Sequence, residues 1–413
     1  MSTNSVMPKE RSKLPDGWRW VRLGEVCEQD RRIVEPGSDL AERLPYLSLQ
    51  HVESKTGRIL RQPTETIQDE GKSTTFAFDP RHVLYGKLRP YLNKVALPDF
   101  DGRCTTEIIP LLPENETDRH YLAWLLRTDE TVNAAMRQRT GSRMPRADMD
   151  DLLTLEVPKP PLEEQKRIAA ILNEQMGAVE RARAAAEAQL EAAKALPAAY
   201  LHQVFPQSGQ ELPAGWHWVR LGEVCEINPR RPELARKDDS LTTFVPMSAV
   251  DERLGTIVRA ETKPFGQVRK GYTYFEDCDV LFAKITPCMQ NGKHAIARNL
   301  VGGFGFGTTE FHVLRRGPAV IPDWIHFFIR QPEVLENAKA HFTGAVGQQR
   351  VPETYLAELE ISLPPVDEQK RIAAMLNEQM ASAERARKAI EEELDGINKL
   401  PAALLRRAFN GEL

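Results

Sequence analysis

The feature that most constrains this chain is that it is written twice. The tract "LPDGWRWVRLGEVCE" at 14–28 returns at 212–226 as "LPAGWHWVRLGEVCE", 198 residues further on. "EQKRIAAILNEQM", from Glu164, returns from Glu368 with only Ile171 changed, to Met375. "DPRHVLYGKLRP" from Asp79 corresponds loosely to "EDCDVLFAKITP" from Glu276, and "CTTE" at Cys104 to "GTTE" at Gly307. "KALPAAYLHQVF" from Lys194 and "NKLPAALLRRAF" from Asn398 close the two copies. Each half therefore has a near-identical start, a divergent middle and a near-identical end. A period this long is duplication of a whole domain plus helix, not a solenoid. The second half stops at "NGEL", where the first passes through "SGQELP" into its successor. The order is cyclic, so the C-terminal tail is expected beside the N-terminal domain, as the inter-repeat segment is beside the second.

The closing repeat has a helical seam. Leu162, Gln165, Ala169, Leu172, Met176, Val179, Arg183, Ala186, Leu190 and Ala193 are spaced alternately by three and four residues. Val366, Gln369, Ala373, Leu376, Met380, Ala383, Arg387, Ile390, Leu394 and Ile397 repeat the pattern. That is coiled-coil spacing, and the double prolines at Pro160 and Pro364 suit a helix start. Pro197 and Pro401 are expected to interrupt or end the helix. About 35 residues at ~1.5 Å each give a rod of roughly 50 Å. The two rods are expected to pair antiparallel. Gln165 with Gln369, and Arg183 with Arg387, would then be polar seam positions that fix register. The alternative is two separate helices, each lying on its own domain.

Composition sets outer bounds. The chain has 413 residues, 41% of them apolar, and a formal net charge of −4. That is enough apolar content for two or three cores. The N-terminal stretch is polar and no 18-residue apolar run occurs, so neither secretion nor a membrane span is expected, and a reducing cytoplasm is. Five cysteines without CxxC spacing make a disulfide framework or zinc site an unsuitable reading; Cys27 and Cys225, at equivalent positions, read as small buried apolar groups. Mild acidity gives no bulk signal for nucleic acid.

The divergent middles mix β-type runs ("RHVLYGKL", "DVLFAKI") with short helical ones ("YLAWLLR", "WIHFFIR"), which indicates α+β domains. Their charge is uneven. No acid lies between Asp79 and Asp99, where Lys87, Arg89, Tyr91, Asn93 and Lys94 fall, or between Asp279 and Glu310, with Lys284, Thr286, Gln290, Asn291 and Lys293. A second acid-free window holds Arg143 and Arg146 in the first half, and Gln348, Gln349 and Arg350 in the second. Matching basic or polar windows suit a polyanion, and Arg, Asn and Gln have the fork geometry for guanine or adenine edges. The bland alternative is surface loops that happen to lack acids.

Catalytic motifs are not found. "DEGKST" at 69–74 lacks the first glycine of a phosphate loop. "GGFGFG" at 302–307 does not have dinucleotide-turn spacing and reads as a flexible loop. "INPRRP" from Ile227 lacks the aromatic of an amino-methyltransferase motif, and neither HExxH nor GxSxG occurs.

Taken together, "LPDGWRWVRLGEV", "TGSRMPRADM…LEVPKPPLEEQKRIAAILN", "PPVDEQKRIA", the Thr-Gly loops at Thr140 and Thr343 and the closing "FNGEL" resemble the specificity subunit of type I restriction–modification enzymes. One departure is that the first Thr-Gly loop lacks the glutamines of "GQQR" in the second. The resemblance covers essentially the whole chain beyond the first dozen residues. It implies two target-recognition domains joined by an antiparallel coiled coil in a pseudo-two-fold arrangement. Each domain would read half of a bipartite double-stranded DNA site, with the helices setting the gap.

It also implies two methyltransferase subunits that use S-adenosylmethionine and restriction subunits that use ATP and Mg²⁺, with no catalytic, cofactor or metal site in this chain. The corresponding layout is a tail at 1–13, domains at 14–160 and 212–363, and helix-plus-linker segments at 161–211 and 364–413. Two other readings stay open: a self-contained methylase or nuclease, and a non-catalytic coiled-coil adaptor or recognition module of another phage-defence system.

Overall fold

The computed structural model describes residues 14–60, 73–137, 139–140 (backbone alone), 144–207, 209–345 and 348–413. It contains two compact units, 1–187 with 392–413 and 188–391. Two long helices, α1 (Leu162–Val204) and α2 (Val366–Phe409), each contribute to both.

In the first unit the repeat start forms strand Arg19–Arg22, antiparallel to Glu156–Lys159, with Val21 opposite Val157 and both buried. This ribbon ties the beginning of the repeat to the entrance of α1. A four-stranded sheet follows, in the order Cys27–Gln29, Ile108–Pro113, Val83–Gly86, Val95–Ala96. Val83–Gly86 is buried along its whole length, which explains why "VLYG" reads as a continuous apolar run without alternation. A second sheet runs Ile33–Val34, Thr75–Phe78, Gly102–Thr105, Tyr46–Leu47. Helix Arg119–Leu126 is started by Asp118, whose carboxylate accepts from the His120 and Tyr121 amides.

The second unit has its own ribbon, His217–Arg220 against Glu360–Leu363, with Val219 opposite Ile361. Its first sheet runs Cys225–Ile227, Phe311–Arg316, Val280–Ala283, His294–Ile296. The second sheet keeps the equivalent of three strands, Thr273–Glu276, Phe304–Gly307 and Leu241–Val245, but adds Glu261–Pro264 at the edge opposite to where the first unit adds Ile33–Val34. The α+β reading holds for both units.

"GGFGFG" is not a loop throughout: Phe304–Gly307 is a strand. A Cβ on Gly305 would come within 2.9 Å of the Phe275 ring, and one on Gly307 within 2.8 Å of the Val245 carbonyl oxygen. These glycines admit a close neighbour rather than supply mobility.

Every seam position from Gln165 to Ala193 and from Gln369 to Ile397 is buried or half-buried. In the first unit Ile168, Ala169 and Leu172 of α1 share a core with Leu405, Ala408 and Phe409 of α2. Further along α1, Met176 and Val179 line a cavity with Pro401 and Ile397, so the helices run antiparallel there. In the second unit Ile372, Ala373 and Leu376 of α2 share a core with Leu201 and Phe205. The expected cyclic packing is present: Phe409 lies 5.2 Å from the Tyr121 ring in the first unit, and Phe205 lies 4.6 Å from Trp324 in the second.

Two details of the helices differ from expectation. Neither Pro197 nor Pro401 ends its helix. The lost hydrogen bond and the proline ring destabilise the turn, but the turns beyond bury Leu201 and Phe205, or Leu405, Ala408 and Phe409, and hold the chain helical. Among the described residues, the polar seam side chains also do not join helix to helix. Gln165 accepts from the Asp118 amide and donates to the Glu116 and Pro160 carbonyl oxygens. Gln369 repeats this with Ile321, Ala319 and Pro364. Each glutamine is fully buried and locks a helix onto its own domain. Arg183 pairs with Glu180 and Glu187, and Arg387 with Glu384 and Glu391, all on their own helices.

Candidate nucleic-acid interface

The two acid-free windows of each half meet in space. In the first unit Leu88 bridges Arg146, the Arg89 amide donates to the Pro145 carbonyl oxygen at 2.7 Å, and the Ala147 amide to that of Lys87 at 2.9 Å. In the second unit Ile285 bridges Arg350, the Thr286 amide donates to the Gln349 carbonyl oxygen at 2.9 Å, and the Val351 amide to that of Lys284 at 2.9 Å. A third segment, the Thr-Thr-Glu corner, joins both: the Lys87 amide donates to the Glu107 carbonyl oxygen and the Lys284 amide to that of Glu310, each at 2.9 Å. Neither corner glutamate is in an acid-free window, and sequence reasoning missed both. The repeated "TTE" was their only signal.

Their side chains fasten the loops. Arg146 Nε lies 2.9 and 3.1 Å from the two Glu107 oxygens, with Nη2 2.7 Å from Oε1. Arg350 binds Glu310 through Nε and Nη2, both at 2.8 Å, and its Nη1 donates to the Gln348 carbonyl oxygen at 3.0 Å. Bidentate pairs of this kind are strong and geometrically specific. The hydrogen bond from Arg350 holds the Glu310 carboxyl below the usual carboxylate range, against the opposing effect of burial.

The remaining expected residues divide into engaged and free. Lys94 Nζ donates to the Leu49 carbonyl oxygen at 2.6 Å, and Lys293 Nζ to that of Val250 at 2.8 Å. Both lysines are thus spent on the same kind of internal link. Asn93 donates to the Arg127 carbonyl oxygen at 2.8 Å. The Thr286 hydroxyl accepts from the Gln349 amide at 3.2 Å. Lys284 is half-buried, and burial lowers its ammonium below the ordinary lysine pKa. Arg89, Tyr91, Gln290, Asn291 and Gln348 are exposed, and among the described residues their side chains have no hydrogen-bond or ionic partner. Lys87 and Gln349 are half-exposed. Arg89 has φ +51°, a left-handed conformation rare in a residue with a side chain. Arg143 lies outside the described residues.

A family model described as the type I restriction modification DNA specificity domain matches residues 15–186 and again 213–394. The chain belongs to this family. Among curated relatives, it is 37% identical over 196 residues to the type I restriction enzyme EcoEI specificity subunit of Escherichia coli, covering 47% of this chain and 33% of that one. The match to the StySPI specificity subunit of Salmonella potsdam is 22% identical but spans 98% of this chain and 90% of that one. The strongest alignments by identity thus cover only about a third of those relatives' length.

Two solved structures are similar along nearly the whole chain. One, from work on complex assembly and conformational transition of the type I R-M system, superposes with a TM-score of 0.76 at 26% identity, covering 98% of this chain and 100% of that one. The other is the HsdS subunit of Thermoanaerobacter tengcongensis, with a TM-score of 0.65 at 27% identity and coverage of 97% and 98%.

Further features of this specificity chain were not legible beforehand. Arg127, 7% exposed, donates to the Val95 carbonyl oxygen, and Arg330 donates to the carbonyl oxygens of Leu254, Arg253 and Glu252. Burial lowers both guanidinium pKa values to about 10. Each arginine stands against a glycine turn, at Gly57 and Gly255. In the first unit, that turn, Tyr91, Trp124, Arg127, Met176 and Pro401 line a cavity of about 1060 Å³. Among the described residues no cluster of three His, Cys, Asp or Glu could hold a metal ion, and no helix is long and apolar enough to cross a membrane. The cysteines are free; Cys27 and Cys225 are buried, and burial pushes both thiols up to about 12.

Proposed function

We propose that this chain is the DNA-reading subunit of a type I restriction–modification complex, each unit reading one half of a bipartite, asymmetric site. The observation that carries this reading is the pair of loop assemblies. Their frames match, Arg–Glu pair for Arg–Glu pair and Lys–carbonyl link for Lys–carbonyl link. The free side chains on them differ: Arg89 and Tyr91 in one unit, Gln290, Asn291 and Gln348 in the other. A scaffold repeated with changed tips suits two related readers of different sequences.

The near-identical helix starts suit two identical partners. In this reading two methyltransferase subunits dock on them, bind S-adenosylmethionine and methylate adenine N6. Restriction subunits would add ATP- and Mg²⁺-dependent cleavage. Base extrusion and chemistry belong to those partners, and this chain acts without a catalytic, cofactor or metal site. A net charge of −4 is compatible if partner subunits supply much of the phosphate contact. The helices would fix the gap, because one base pair moves a half-site by ~3.4 Å and about a tenth of a turn.

The test is co-expression with the neighbouring methyltransferase subunit in a methylation-free host, followed by single-molecule sequencing of modified adenines. A split, asymmetric motif with a constant gap is expected. Assembly without any motif would favour a coiled-coil adaptor that does not read DNA. Adding or removing one heptad of α1 or α2 should change the preferred gap or abolish methylation.

A further inference from the structure

We infer that the Glu107–Arg146 and Glu310–Arg350 pairs are positioning pairs, and that base selection falls to the side chains with free ends: Arg89 and Tyr91 in the first unit, Gln290, Asn291 and Gln348 in the second. The inference rests on the DNA-reading function proposed above and assigns roles within it.

The arginines of the closing loops look like guanine readers in the sequence, since a guanidinium edge matches guanine O6 and N7. Their geometry says otherwise. In Arg350 the Nε/Nη2 edge is filled by both Glu310 oxygens, and Nη1 is turned back onto the Gln348 carbonyl oxygen. Arg146 repeats this, with Nε and Nη2 on Glu107 and Nη1 3.4 Å from the Met144 carbonyl oxygen. Presenting either fork to a base would strand a carboxylate beside the DNA, where it repels phosphate. The two pairs tie the Thr-Thr-Glu corner to the closing segments 145–147 and 349–351, and backbone hydrogen bonds already join both of these to 87–89 in the first unit and to 284–286 in the second. Each pair closes a three-segment corner and thereby sets where the loop tips stand.

The free ends then carry the difference between the units. The first offers a cation in a left-handed backbone conformation, beside an exposed phenol. A cationic fork suits guanine or phosphate, and a phenol ring stacks or donates. The second offers three carboxamides. A carboxamide donates and accepts side by side, which matches adenine N6 and N7 in the major groove. The half-site of the second unit is therefore read through at least one adenine contacted by Gln290, Asn291 or Gln348.

The experiment uses the full chain assembled with its methyltransferase subunit. Wild type is mapped first, so absence of a motif would count against the DNA-reading function itself and not against the pairs. With a motif in hand, Glu310→Ala, Arg350→Ala and the double variant are compared for methylation rate at that motif, each complex also being checked for assembly and Tm. Positioning predicts that each single variant loses about tenfold and that the double loses no more than either. Every base of the motif should remain required. Arg350→Lys, which keeps a charge against Glu310, should recover part of the loss. In contrast, Gln290→Ala, Asn291→Ala or Gln348→Ala should relax a single adenine position in one half-site only. The inference is overturned if Arg350→Ala relaxes one base position while Glu310→Ala leaves the rate unchanged, or if all three amide variants keep the full motif. Should the alanine variants not assemble, Glu310→Gln and Arg350→Lys decide by the same criterion, loss of rate with an unchanged motif against a changed motif.

Discussion

The turn at Gly57 and the turn at Gly255 are the same device in different surroundings. Each has positive φ, +69° and +64°, and each is held by an arginine from the end of a short helix, Arg127 buried and Arg330 half-buried. Around the second turn, Arg253 reaches α2 and places Nε 3.4 Å from Glu384, which also holds Arg387. Around the first, Lys55 occupies the equivalent place and has no ion pair among the described residues, and a cavity of about 1060 Å³ lies between the turn and the helices. Duplication has kept what holds the backbone and released what faces outward from it. The loop assemblies obey the same division, with clasped arginines and lysines in common and free tips that differ.

The comparison can be tested most severely at the glycines. A Cβ on Gly57 would stand 1.7 Å from the Val95 carbonyl oxygen, which belongs to a strand and cannot yield. Gly57→Ala should cost about 3 kcal/mol or more. Gly255→Ala meets the end of the Arg330 side chain at 1.8 Å, so it should cost less, about 2 kcal/mol. Chemical denaturation of the two variants checks the order; equal losses would mean the turns are not supported as described.

Gln165→Leu and Gln369→Leu sharpen the sameness of the units. Each glutamine makes three hydrogen bonds to backbone groups of its own domain. Each variant should lose about 2–3 kcal/mol, and the two losses should agree. A much smaller loss for one would show that its helix is held by packing alone.

Acid should separate the units. His294 and His326 are buried in the second, and both titrate below the ordinary histidine range, through burial first and then the nearby Arg330 charge; His326 falls to about 3. His326 also faces Arg298, while its Nε2 lies 3.2 Å from the His294 carbonyl oxygen. Val95 and Ala123, both buried, occupy the matching places in the first unit. The unfolded chain takes protons below about pH 6.5 while the native histidines stay neutral. Their contribution is therefore complete above that pH and lost as pH falls, by up to about 1.4 kcal/mol per pH unit for each histidine. Hydrogen exchange at pH 7 and pH 5 should show the second unit loosening first; equal protection would refute this.

The smallest effect belongs to the ion pair. Arg253→Ala should cost under about 1 kcal/mol, since the pair is partly exposed, and Lys55→Ala about nothing. Raising salt should erase the difference between them.

Much of this was legible in the residues. The seam positions were right because a helix buries one stripe whatever its partner, and period alone reports that. "VLYG" and "VLFA" were right because a strand covered on both faces reads as an unbroken apolar run. The partners of polar groups were not legible. Gln165 and Gln369 sit on the seam but bond to backbone about 50 residues away in sequence, which no helical spacing encodes. Arg146 and Arg350 read as free cations because the acids that hold them lie about 40 residues upstream, outside the acid-free windows. The glycine-rich strand Phe304–Gly307 was misread as a flexible loop because the close approach of Phe275 leaves no trace beside it in sequence.

By itself the sequence determined the duplication, the two long amphipathic helices, the α+β middles and the windows that form the loops, because these depend on local periodicity, composition and self-similarity. Tertiary structure decided which side chains are free. A hydrogen bond is satisfied by whatever the fold brings within about 3 Å, and that partner is set by the packing of the whole unit rather than by neighbours along the chain.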